Sequence, residues 1–86
     1  MTQALSGPVQ RVEHAQRRVR AAQLSAADSF NKSADSQERL AKVYEQASEL
    51  GDAADREERQ ERAARHHLRA EDDHWTAQRL RLMASR

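Results

Sequence analysis

Apolar residues recur at three- and four-residue steps along the first half of the chain, with polar residues filling the positions between them. This spacing predicts an amphipathic helix whose apolar face is narrow, close to the seam of a coiled coil. The predicted stripe consists of Val9, Val12, Ala15, Val19, Ala22, Ala26, Phe30, Ala34, Gln37, Leu40, Tyr44 and Ala47.

The second half of the chain carries another stripe of the same period. It is poor in apolar residues at first and improves from Leu68 onward. The positions are Ala54, Glu57, Glu61, Ala64, Leu68, Glu71, Trp75, Gln78 and Leu82. The pattern therefore predicts a second long helix.

The segment Glu49-Leu50-Gly51-Asp52 separates the two stripes. Gly51 can adopt the left-handed conformation that closes a helix. Asp52 is suited to cap the N-terminus of the following helix, which opens with Ala53 and Ala54. The segment thus predicts a turn that folds the chain into an antiparallel hairpin.

These signals predict an all-α fold: a long antiparallel helical hairpin with helices at about 8–50 and 53–83. The first helix would start at Pro8, with residues 1–7 a flexible N-terminus, 8–84 a single helical domain and 85–86 the C-terminal end. The Ser- and Asp-rich segment at 28–35 allows an alternative in which the first helix is bent, giving three helices at about 8–30, 36–50 and 53–83.

In a hairpin that turns at Gly51, residues whose numbers sum to about 102 lie opposite each other, so Trp75 is expected near Phe30. The predicted core comprises Val12, Val19, Phe30, Leu68, Trp75 and Leu82. Near the turn, three large side chains lack large partners and are predicted to form a protein-interaction surface: Leu40, Val43 and Tyr44.

Half of the apolar residues are alanine, and an 86-residue monomer with so little core material is marginal. We therefore expect self-association, as a coiled-coil-like assembly or a four-helix bundle of two hairpins, or completion of the core by another helical protein.

The formal net charge is only +1, but the charges are unevenly distributed. Residues 1–24 carry four Arg and one Glu, whereas residues 25–64 carry six basic and ten acidic side chains. A hairpin would be basic at its open end and acidic at its turn. Nucleic-acid binding through the basic end is an alternative function, and its candidate residues are Arg11, Arg17, Arg18, Arg20, Arg79 and Arg81.

Glu71-Asp72-Asp73-His74 matches the Glu-x-x-His spacing of helical metal sites, and His67 lies one turn earlier. A metal-binding bundle using His67, Glu71 and His74 is therefore a second alternative. Cysteine and phosphate-binding glycine loops are absent, and no residue pattern indicates a catalytic pocket, so we predict neither enzymatic activity nor a cofactor.

Together these features favour a small, non-catalytic protein-interaction module, such as an adaptor, regulator or assembly subunit, that acts as a homo-oligomer. The sequence shows neither a secretory signal nor an apolar run that suits a membrane. The expected location is the cytoplasm, or the interior of a virion or intracellular particle.

Overall fold

The computed structural model describes residues 2–86, with side chains from residue 7 onward. It contains two helices, α1 (Thr2–Ser48) and α2 (Ala53–Ala84), which pack side by side as an antiparallel hairpin. The rod measures 79 × 14 × 13 Å. The predicted all-α hairpin is confirmed.

Helix α1 differs from the prediction in two details. It begins at Thr2, so Pro8 lies inside the helix rather than at its first position. It also runs without interruption through 28–35, which removes the three-helix alternative. Ser29 donates its hydroxyl proton to the Ser25 carbonyl at 3.2 Å, so this polar side chain is satisfied within the helix and does not break it.

The turn has the predicted chemistry. Gly51 has φ +93°, in the left-handed region that favours glycine. The Asp55 amide donates to the Asp52 carboxylate at 2.9 Å, which caps the N-terminus of α2. Arg59 of α2 donates to the carbonyls of Ala47 and Leu50 at 2.8 and 2.5 Å, so a cation satisfies the C-terminal end of α1.

The two helices pack along a seam of alanines spaced seven residues apart. The buried set is Ala27, Ala34 and Ala41 of α1 with Ala63, Ala70 and Ala77 of α2. The contacts of His66 with Gln37 and of His74 with Asn31 pair residues whose numbers sum to 103 and 105, close to the predicted 102. At a sum of 104, the alanines pair as Ala27 with Ala77, Ala34 with Ala70 and Ala41 with Ala63. Because alanine side chains are short, the helices can approach closely along this line.

Five residues predicted as core do not form the core of the single chain. Val12, Val19, Leu68, Trp75 and Leu82 are 56–63% exposed. They occupy other helix faces, because alanines recur every seven residues on both helices and these two rows of small side chains pack against each other. Phe30, the sixth, lies at the edge of the seam and is 37% exposed.

Helix α1 extends well beyond the end of α2. In the observed pairing Ala84 lies across from position 20, and every residue from 8 to 22 is exposed. Within the described part of the chain, this overhanging part of α1 approaches the C-terminal end, where Met83 and Arg86 line an open groove with Val12 and Val19. It carries four of the chain's thirteen arginines.

Candidate interaction surfaces

The first candidate surface is a second stripe on α1, which we call the α1 outer stripe. It recurs at three- and four-residue steps, and it lies roughly 130° around the helix from the seam alanines at about 100° per residue. It consists of Val12, Ala15, Val19, Ala22, Ala26, Ser29, Ser33, Ser36, Leu40, Val43 and Ala47.

The large members of this stripe face solvent. Leu40 and Val43, predicted to form an interaction surface, are 43% and 58% exposed. At the open end, Val12 and Val19 line a shallow open groove with Met83 from the last turn of α2. Large apolar side chains that recur along one helix face and remain mostly exposed are typical of a contact surface.

The second candidate surface, the α2 outer stripe, comprises Leu68, Trp75 and Leu82, at seven-residue steps on the side of α2 that faces away from α1. The Arg79 guanidinium carbon lies 4.7 Å from the centre of the Trp75 ring, so this cation covers one part of an otherwise exposed indole. Exposed aromatic residues with an arginine beside them are common in protein interfaces.

Tyr44, the third residue predicted for interaction, turns toward the hairpin instead. Its ring stacks on His66 with centroids 5.5 Å apart and planes 9° apart. The Arg62 guanidinium lies 5.8 Å from the same ring. Tyr44 therefore packs against α2 and is not part of the α1 outer stripe.

A row of polar contacts flanks the alanine seam. His66 Nδ1 donates to the Gln37 side chain at 2.5 Å. His67 bridges two carboxylates of α1, with Nδ1 3.0 Å from Glu38 and Nε2 2.5 Å from Glu45. Both ring nitrogens can donate only when the imidazole is protonated. The hydrogen bond to Glu45 is the main cause that raises the pKa of His67 above its ordinary value.

Two of the three predicted metal ligands, His67 and His74, contact side chains of α1. His67 contacts Glu38 and Glu45, while His74 Nδ1 lies 3.2 Å from the Asn31 side-chain amide. Among residues whose side chains are described, no group of three His, Asp or Glu is arranged to hold a metal ion. Glu71 and His74 of the Glu-x-x-His segment are exposed.

The arginines predicted to contact nucleic acid fall into two groups. Arg79 lies over Trp75, and Arg81 donates to Asp28 at 3.3 Å, so these two have intramolecular partners. Arg11, Arg17, Arg18 and Arg20 lie on the overhanging part of α1, where they are exposed. At about 100° per residue, Arg11 and Arg18 share one side of the helix while Arg17 and Arg20 point elsewhere.

The alanine seam and the two outer stripes were all readable from the sequence as seven-residue repeats. The predicted α1 stripe combined residues of two faces, since Ala26 and Leu40 belong to the α1 outer stripe whereas Ala34 belongs to the seam. Two aligned alanine repeats in one chain were the signal that would have separated them.

No family of known proteins, no curated protein and no solved structure matches this chain. Within the residues that the structure describes, neither helix has a stretch long and apolar enough to cross a membrane.

Proposed function

We propose that this chain is a non-catalytic helical interaction module that works as a homo-oligomer, in the manner of an adaptor, regulator or assembly subunit. One observation carries the proposal: the hairpin buries only small side chains between its helices. The large apolar side chains project outward, and twelve of them are 37% to 69% exposed.

The energetic argument follows from that distribution. Burying one Val or Leu side chain contributes about 1.5–3 kcal/mol, whereas burying an alanine methyl contributes about 0.8 kcal/mol. The hairpin buries alanine methyl groups between its helices, whereas the Val and Leu side chains that would contribute more remain largely exposed. A partner that covers the outer stripes would recover that contribution, which favours association over a lone monomer.

The arrangement offers no comparable support for catalysis. The grooves on the described surface are shallow and open, and the titratable groups beside the seam are used in pairing the helices. The hairpin is better suited to presenting faces than to enclosing a substrate.

A matched set of charge substitutions tests the proposal. Leu40→Glu with Val43→Glu places two carboxylates in the α1 outer stripe, and burying them in an interface would be costly. We expect this variant to sediment as a monomer at concentrations where the unmodified chain is oligomeric. Leu24→Glu, at an exposed position of α1 outside the stripe, is the control and should keep the oligomer.

Circular dichroism shows whether each variant keeps its helices. An unmodified chain that remains monomeric at every concentration would contradict the proposal. So would a Leu40→Glu, Val43→Glu variant that stays helical and associates like the unmodified chain.

The second candidate function is sequence-neutral nucleic-acid binding, which the exposed arginines of the overhang favour. Replacing Arg11, Arg17, Arg18 and Arg20 with Gln should abolish retardation of duplex DNA or RNA, and added salt should weaken the binding of the unmodified chain steeply. No retardation at low salt would remove this candidate.

A further inference from the structure

The α1 outer stripe is complementary to itself when a second copy runs in the opposite direction. Reversing the stripe about residue 31 pairs every member from Ala15 to Ala47 with another member, at positions whose numbers sum to 62. The pairs are Ala15 with Ala47, Val19 with Val43, Ala22 with Leu40, Ala26 with Ser36 and Ser29 with Ser33. Val12 would reach the partner's Leu50 at the turn.

The side chains suit this pairing in size and in polarity. The valines meet each other toward the ends, and Leu40 meets the small Ala22, so the two helices could interlock side chains without overcrowding. Serines occupy the centre. Ser29 already donates to the Ser25 carbonyl at 3.2 Å, and Ser36 accepts from Arg39 at 3.0 Å, so each of these two hydroxyls has one hydrogen-bond partner within its own helix.

Charge also favours the reversed direction over a parallel one. Antiparallel packing sets the basic overhang of one copy, with Arg11, Arg17, Arg18 and Arg20, alongside the acidic turn region of the other, with Glu45, Glu49 and Asp52. Parallel packing would set the overhanging arginines against their own copies. The antiparallel pairing also brings some like charges together, namely Arg20 with Lys42, Glu13 with Glu49 and the two copies of Lys32 near the centre. These side chains are exposed, and repulsion between exposed charges costs little.

The estimated contact area lies at the lower end of the range for a specific dimer. The paired stretch from Ala15 to Ala47 is roughly 48 Å long at 1.5 Å rise per residue, and a helix with its side chains is about 10 Å wide. Each copy would cover roughly 480 Å² on α1, or about 1,000 Å² for both. Contacts from the Val12 and turn regions would add to this, so the total area is near the lower limit of about 1,000 Å² expected of a biological interface.

From these observations we infer that the oligomer is a two-fold dimer in which the α1 outer stripes of two copies pack antiparallel, with paired positions summing to about 62. The inference rests on the proposed function, since it specifies the partner and geometry of the same surface. The α2 outer stripe, with Trp75, remains uncovered in this dimer.

The chain contains no cysteine, so introduced cysteines can report the pairing directly. In one chain, positions 19 and 43 are about 36 Å apart along α1, too far for a disulfide. In the inferred dimer, position 19 of each copy lies opposite position 43 of the other copy, which gives two such pairs. Val19→Cys with Val43→Cys should give a covalent dimer when oxidised glutathione is added, and mass spectrometry of the peptides should show a link between positions 19 and 43.

Two controls fix the direction and the alignment. Val12→Cys with Val43→Cys uses the same helix face but misses alignment by seven residues, about 10 Å, and should remain uncrosslinked. Val19→Cys alone should also remain uncrosslinked, because the two copies of that position lie about 36 Å apart.

Each other outcome overturns the inference in a recognisable way. A disulfide in the Val19→Cys single variant would show parallel packing, and a disulfide in the misaligned control would show another alignment. An oligomer whose introduced cysteines at positions 19 and 43 stay reduced would show that a different face pairs. In all three cases the proposed homo-oligomer survives, whereas a monomeric mass for the unmodified chain would remove both.

Discussion

Enlarging one alanine of the seam should separate the helices, while the same change next to it should not. Ala63 is 3% exposed and lies across from Ala41, whereas its neighbour Ala64 is exposed. Ala63→Leu adds three carbon atoms between two helices that meet on methyl groups. Ala64→Leu adds the same atoms to a solvent-facing side.

The expected magnitude follows from the packing. Overfilling a close-packed site costs about 1–3 kcal/mol, while a surface substitution between good helix formers changes the free energy of unfolding by less than about 0.5 kcal/mol. For a chain of this size, about 1 kcal/mol corresponds to roughly 4–8 °C in Tm. Ala63→Leu should therefore melt at least about 4 °C below Ala64→Leu.

Thermal unfolding followed by circular dichroism at 222 nm measures this difference. The proteins must be compared at one concentration, because association makes Tm depend on concentration. If Ala63→Leu were as stable as Ala64→Leu, or more stable than the unmodified chain, the helices would have room for large side chains between them. The alanine seam would then be refuted as the contact that sets their spacing.

Three further changes test the turn and the polar row. Gly51→Ala should lower the free energy of unfolding by about 1–2 kcal/mol, since φ is +93° and the new Cβ would lie 3.3 Å from Arg59 Nη1. Gly7→Ala is the control: no atom lies within 4 Å of its added Cβ, so it should be neutral or stabilising in the same chemical denaturation. Arg59→Ala should lower the midpoint of urea unfolding by removing the hydrogen bonds to the end of α1, while Arg65→Ala, at an exposed position of the same helix, should not. His67 has a raised pKa, so its contribution to stability is present when the ring is protonated and is lost as pH rises through that pKa. The Tm difference between the unmodified chain and His67→Gln should therefore be larger at about pH 6 than at about pH 8.5. An equal difference at both pH values would contradict the pairing with Glu38 and Glu45.

The sequence was sufficient for the parts of the fold that depend on local chemistry. The turn could be predicted because Gly51 and Asp52 each have a specific backbone role, and the helices could be predicted from their period and composition. Because the turn fixes which residues face each other, the predicted sum of 102 fell within two residues of the observed 104.

The face on which the two helices meet could not be predicted from the period of the apolar residues alone. Helix α1 has two stripes of equal period, and choosing between them depends on which one matches α2. The small stripe matches, because alanines recur every seven residues on both helices and the polar pairs of His66 and His67 form beside them. Trp75 was predicted to lie in the core because the hairpin pairing placed it near Phe30, but it is 59% exposed because it lies on the side of α2 that faces away from α1.

The native mass of the unmodified chain tests the central claim most directly, namely that the hairpin keeps its small side chains inside and offers its large ones to a second copy. Sedimentation equilibrium from low to high micromolar concentration should give a mass of about 20 kDa, twice the 9.8 kDa of one chain, with dissociation only on dilution. A helical, cooperatively melting species of 9.8 kDa at every concentration would contradict the claim.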